Sequence, residues 1–212
     1  MKLTRLHGLS TWPVYQPDRR IDFNGFFLAA DATGGAGGIL IDPMPLDPVQ
    51  LAQVTEQGGA GFVIVTNADH LRAGAELADR FQAQLVAPAP DSERFSESIR
   101  GRIDAWFGPD EELPAPLAAL FDVSWMAGGK SPLEPALYWK AQQAWVFSDL
   151  VRSHESGRLR LLPAPKLSDE SRAKADVREL LARPAEAILL GDGDSIFNGA
   201  REALDALAAE LA

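Results

Sequence analysis

The chain of 212 residues contains no cysteine, which excludes disulfide bridges, thiolate-ligated zinc, iron–sulfur clusters and a thiol nucleophile together. Redox logic therefore leaves the compartment open. Histidine is nearly as scarce: His7, His70 and His154 are the only three, and they lie far apart in sequence. No window approaches the roughly 18 apolar residues of a membrane-spanning helix. Met1-Lys2-Leu3-Thr4-Arg5-Leu6-His7-Gly8 lacks the unbroken apolar core of a signal peptide. A soluble cytoplasmic protein is the expectation. Basic residues are in deficit, 20 against 30 acidic ones for a net charge of −10, which disfavours nucleic acid and anionic membrane surfaces as partners. A small-molecule ligand or a protein partner, such as a second copy of the chain in a homodimer, is expected instead.

What is present suffices for a substantial core: 46% of the residues are apolar, and one domain over 1–212 is expected. Phe23 to Ala30 and Gly38 to Asp42, separated by glycines 34, 35 and 37, read as a hairpin. Pro45 to Gln57 carries Leu46, Val49, Leu51 and Val54 before Gly58-Gly59, a helix with a glycine stop. Phe62 to Val65 reads as a buried strand, Leu71 to Phe81 as a helix and Gln84 to Ala87 as a strand, a β-α-β-α-β run that implies a parallel or mixed sheet. Residues 91–116 are expected to hold a short helix, a strand near Ile103–Phe107 and a loop. Leu117–Trp125, Ala136–Trp139 and Trp145–Phe147 then read as antiparallel strands. A charged helix at about Ser168 to Ala182, a strand at Ala187–Leu190 and an alanine-rich helix capped by Asn198 complete the chain.

The stretch Val63-Ile64-Val65-Thr66-Asn67-Ala68-Asp69-His70-Leu71-Arg72-Ala73-Gly74 runs from strand through polar turn to helix, the junction at which α/β folds place their chemistry. Similar junctions follow Gly38-Ile39-Leu40-Ile41 at Asp42, Trp145-Val146-Phe147-Ser148 at Asp149, and Ile188-Leu189-Leu190-Gly191 at Asp192. A glycine turn carries Lys130 in Ala127-Gly128-Gly129-Lys130-Ser131-Pro132. Each segment alone is an ordinary one. In this order and spacing they resemble the metallo-β-lactamase superfamily over nearly the whole chain, which implies an α/β (α+β) fold, a four-layer αββα sandwich.

The resemblance also shows what has changed. Where the family has Thr-His-x-His-x-Asp-His-x-Gly-Gly, this chain has Thr66-Asn67-Ala68-Asp69-His70-Leu71-Arg72-Ala73-Gly74-Ala75. In the ungapped register Asn67 and Asp69 stand at the first two His positions, Leu71 at the Asp and Arg72 at the third His. Lys130 replaces the His of the Gly-His-Thr-Pro-Gly turn, Asp149 keeps the bridging carboxylate, and Asp192 replaces the His of Gly-His-Gly. Asp42 is retained as the brace of the site. A second register, reached by deleting two residues, aligns Asp69-His70 with the family's Asp-His pair and Asn67 with its second His.

Zinc favours imidazole nitrogen, and three scattered histidines cannot furnish the usual set, so no zinc centre and no cofactor are expected. The resemblance implies two alternatives. In one, Arg72 and Lys130 neutralise Asp69, Asp149 and Asp192 in a metal-free polar site whose ligand contacts also include Asn67. In the other, Asp69, Asp149 and Asp192 bind a single hard cation, Mg²⁺, Mn²⁺ or Ca²⁺, and the chain is an ester, thioester or phosphoester hydrolase with Asp69 as ligand or general base. Plainer roles stand beside these. Asp69 caps the helix that starts near His70, His70 lies on its surface, and Asp192 and Asp194 satisfy a turn. Glu134 pairs with Lys130 or Arg72. No Ser-His-Asp arrangement or P-loop is recognisable, and Gly34–Gly38 lacks the context of a dinucleotide motif.

Overall fold

The computed structural model describes residues 1–212, which divide into two units: residues 1–14 with 23–120, and residues 15–22 with 121–212. The first unit is built on a sheet of seven strands in sequential order. These are β1 (Lys2–Leu3), β2 (Leu9–Gln16), β3 (Ile21–Leu28), β4 (Ile39–Ile41), β5 (Phe62–Ile64), β6 (Gln84–Pro88) and β7 (Ala105–Phe107). As the hairpin reading requires, β3 and β4 pair antiparallel, with Phe27 opposite Leu40. From β4 to β7 the strands are parallel.

Parallel neighbours need crossovers, and α1 (Pro48–Glu56) and α2 (Gly74–Phe81) supply the first two. Asp47 starts α1 in a capping box with Gln50, and Pro48 occupies its first turn, where proline loses no hydrogen bond. Leu40, Val63, Val65, Leu85 and Ala87 project from one face of the sheet and pack with Val54 of α1 and Leu77 and Ala78 of α2. Ile39, Ile41, Ile64 and Val86, on the opposite face, are also fully buried, so these strands read as unbroken apolar runs rather than alternating ones.

The second unit holds a sheet in the order β13-β10-β9-β8 and a separate hairpin of β11 and β12. The strands are β8 (Phe121–Met126), β9 (Glu134–Trp139), β10 (Ala144–Phe147), β11 (Val151–Glu155), β12 (Arg158–Leu161) and β13 (Ala187–Leu190). β8, β9 and β10 form an antiparallel meander, whereas β13 joins parallel to β10. Helices α5 (Glu170–Leu181) and α6 (Arg201–Glu210) bury Val177, Leu181, Leu204 and Leu207 in one core with Trp145, Phe147, Ile188 and Leu190.

Residues 97–100 form α3, the short helix expected within 91–116. Three local expectations differ from the structure, the first being that residues 115–120 form helix α4 rather than the start of a strand. Pro116 lies in the first turn of α4, where its fixed φ is pre-organised for a helix, and the apolar run Leu117–Phe121 fits either element. β11 and β12, which the sequence left without assignment, turn at Gly157 with φ of 78°. The last helix has Ala200 at its N-cap and no side-chain cap, so Asn198 does not cap it. No helix is long and apolar enough to cross a membrane.

Candidate functional site

In the first unit the site begins where β4 and β5 end. Their parallel register brings Asp42 and Thr66 to the same edge, with the Asp42 N–H donating to Ile64 O at 2.9 Å. Asp42 takes a left-handed backbone with φ of 45°, a conformation that Asp tolerates better than most residues. Its buried carboxylate accepts from the Thr66 N–H at 2.8 Å, from the Thr66 hydroxyl, and from His70 Nδ1 at 2.8 Å.

That last bond fixes the imidazole. A carboxylate accepts only, so a ring proton is assigned to Nδ1. His70 is only 3% exposed, which corrects the expectation of a surface residue. It ends a short 3₁₀ turn, Ala68–His70, which folds the ring back onto Asp42. The cap of this turn is Asn67, whose side chain accepts from the His70 N–H at 3.0 Å, so the capping role expected of Asp69 belongs to Asn67. The Ala68 N–H donates to Asp91.

Asp69 points elsewhere: its side chain is 47% exposed and pairs with Arg94 at 3.0 Å. Arg72 faces the imidazole, with Nη2 3.4 Å from His70 Nε2. Its Nη1 donates to Asn24 O at 2.7 Å and Asp42 O at 3.2 Å, and the guanidinium lies 4.9 Å from the Phe23 ring centre.

In the second unit, Phe147 of β10 lies opposite Leu190 of β13. Two residues beyond each, Asp149 and Asp192 emerge at the same end of the parallel pair, and both are buried. Arg152 lies between them, bonded to Asp192 Oδ2 and 3.8 Å from Asp149 Oδ1. Lys130, 26% exposed, reaches Asp149 Oδ2 at 2.7 Å. Glu134 turns out to hold the loop: its Oε1 accepts the N–H groups of Asp149 at 3.1 Å and Leu150 at 2.8 Å. Two buried carboxylates, Asp149 and Asp192, thus meet two cations, Lys130 and Arg152. Gly193, at φ of 94°, completes the turn; a Cβ there would stand 1.6 Å from Ser153 O.

The structure therefore collects Lys130, Asp149 and Asp192 in one unit, places Asn67 and Arg72 about His70 in the other, and sends Asp69 to a surface pair. Sequence reading missed Arg152 and the role of His70. The apolar Leu150-Val151 ahead of Arg152 and the spacing of three from Asp149 were the available signals for Arg152. The groups able to offer a ligand atom to a metal ion are His70 in the first unit and Asp149 and Asp192 in the second.

Two adjacent ends of parallel strands, each closing on a buried aspartate, define an α/β protein whose chemistry sits at strand termini. The family is definite: a model of the metallo-beta-lactamase superfamily matches residues 1–211, and the chain belongs to that superfamily. Among solved structures it is similar to a metallo-beta-lactamase from Pontibacter korlensis, with 15% identity over 100% of this chain and 97% of the other at a TM-score of 0.72. It is similar to DIM-1 metallo-beta-lactamase, with 13% identity, 97% and 95% coverage and a TM-score of 0.70. A beta-lactamase domain protein from Burkholderia ambifaria gives 14% identity, 98% and 73% coverage and a TM-score of 0.66. No curated protein matches the chain. The α/β metallo-β-lactamase fold read from the sequence is the fold of the chain; identities this low carry no activity with them.

Proposed function

We propose that this chain is a divergent metallo-β-lactamase-fold protein, acting as one domain in the cytoplasm, that works without the standard dinuclear zinc centre in a binding or regulatory role. One observation carries the reading. The carboxylates that close β10 and β13 are held by the chain's own cations, Asp149 by Lys130 and Asp192 by Arg152. Buried carboxylates need such partners, and cations already in contact repel an incoming dication. The donors do not fit a dinuclear zinc centre, which favours imidazole: His70 is the one buried histidine, and His7 and His154 are exposed.

The partly exposed Lys130 is the group we assign to ligand contact, with a small acidic or polar molecule as ligand. The test is thermal stabilisation by a panel of small carboxylates and phosphates. Stabilisation is expected without turnover, and it disappears in Lys130→Met.

The second reading, a metal-dependent hydrolase with an oxygen-rich centre, is favoured by the burial of Asp149 and Asp192 as potential ligands. Metal analysis of protein purified without chelator, with an ester, thioester and phosphoester panel, separates the two. Stoichiometric metal lost on Asp149→Ala, together with metal-dependent turnover, overturns the binding reading.

A further inference from the structure

We propose that Arg72 is the resident cation of the first unit, its guanidinium taking the ring nitrogen of His70 that would otherwise be open to a metal ion. The inference rests on the zinc-free reading and deepens it, assigning the exclusion of metal from this half of the fold to one residue.

Asp42 and His70 by themselves form the support of a metal-ligating histidine: a carboxylate binds one ring N–H, fixes the tautomer and leaves the other nitrogen as a lone pair. The Nδ1 contact to Asp42 is 2.8 Å and both side chains are buried. The histidine is therefore prepared for a cation at Nε2. The cation it faces is Arg72, at 3.4 Å.

This guanidinium is held in place. Two backbone carbonyls, Asn24 O and Asp42 O, accept from Nη1, and the Phe23 ring lies beneath the charge. Arginine cannot shed its proton within any ordinary pH range, so the charge is permanent. Arg72 also holds a left-handed backbone, with φ of 43°, where glycine is the default residue. A long cationic side chain at a position suited to glycine points to a role for the side chain itself.

The charges are consistent with this reading. The Asp42 carboxylate meets the imidazole at one end, and the permanent positive charge of Arg72 lies on the other side of the ring. Arg72 thus meets both demands of the Asp42–His70 pair, a donor toward Nε2 and a counter-charge. A dication approaching Nε2 must displace an arginine that is also bonded to Asn24 O and Asp42 O and set over the Phe23 ring.

The test uses the full chain and Co²⁺, whose visible absorption reports coordination. Arg72→Gly suits the left-handed backbone and removes the guanidinium alone. Wild type is expected to show no saturable Co²⁺ binding through His70. Arg72→Gly is expected to bind about tenfold tighter or more, and the double variant Arg72→Gly/His70→Ala to lose that gain. Wild-type binding that depends on His70, or no gain in a folded Arg72→Gly, overturns the proposal.

A second measurement does not depend on the variant folding. The ¹⁵N resonances of His70 in the wild type are expected to show a proton on Nδ1 and an unprotonated Nε2 that Zn²⁺ leaves unmoved; movement of Nε2 by Zn²⁺ overturns the proposal. Metal held through Asp149 and independent of His70 would instead overturn the zinc-free reading while leaving the role of Arg72 intact.

Discussion

Asp42 Oδ2 lies 2.8 Å from His70 Nδ1, and the Thr66 hydroxyl donates to the same oxygen. One carboxylate therefore orients both a strand-end hydroxyl and an imidazole, while its second oxygen secures the Thr66 N–H. Replacing Asp42 by Asn keeps the size and the tolerance for a left-handed backbone but loses the charge and one acceptor. Asp42→Asn is expected to lower stability by about 2–4 kcal/mol, measured by urea denaturation. A loss below about 1 kcal/mol would mean that the carboxylate is not the organiser of this turn.

Arg152 and Lys130 serve the same acid unequally. Arg152 is almost fully buried and bridges Asp149 and Asp192, while Lys130 remains partly open to water. Arg152→Met removes the buried cation bonded to Asp192 and a longer contact to Asp149, and is expected to cost about 3–5 kcal/mol. Lys130→Met is expected to cost clearly less, because water replaces part of the lost interaction. Equal losses in thermal denaturation of the two variants would contradict this ranking.

Gly193 is the tightest point of the turn that carries Asp192. An added methyl meets the backbone carbonyl of Ser153, which cannot swing aside as a flexible side chain would. Gly193→Ala is expected to lower the melting temperature far more than Gly157→Ala. At Gly157 φ is also positive, yet no atom lies within 4 Å of the added carbon, and only the backbone term of about 1 kcal/mol applies. Similar melting temperatures for the two variants would show that Ser153 yields readily.

Asp122 gives a pH signature away from the site. The hydrogen bond from Arg183 holds its carboxyl below the ordinary carboxylate value, and the charge of Lys140 helps. A lowered folded pKa contributes stability that is present above the unfolded value and is lost as pH falls through the folded one. The loss therefore falls in the acid range, below the unshifted value of 3.8. With the Asp122 side chain 44% exposed, solvent screening keeps the contribution below about 1 kcal/mol. Asp122→Asn is expected to flatten the acid limb of the stability profile slightly, and salt to do the same in the wild type.

Periodicity and strand-end motifs made most of the fold legible, because β4 to β6 and β9, β10 and β13 are apolar runs bounded by polar turns. α4 was misread because Leu117–Phe121 is apolar without a period, and only the tertiary setting decides between helix and strand. The acids of the site were legible as strand ends: Asp42, Asp149 and Asp192 all follow a buried strand. Of their partners, Lys130 was legible from its glycine turn and pairs with Asp149, whereas Arg152 and His70 were not. Arg152 lies on β11, whose hairpin has little sequence signature. His70 reads as a surface helical residue until the 3₁₀ turn capped by Asn67 rotates it inward. Asp69 carried the motif position yet faces Arg94, since the same turn directs residues 69 and 70 to opposite sides.

The register of β13 against β10 has a consequence for folding. Side chains alternate along a strand, so a slip of one residue would turn Asp192 away from Arg152 and bring a glycine to its place. An apolar core tolerates such a slip far better than a buried ion pair does, because leucine next to isoleucine packs nearly as well as the reverse. The Arg152–Asp192 contact can therefore act as a check on strand alignment: a chain that closes the second sheet out of step leaves a buried charge unmatched and is driven to open and pair again.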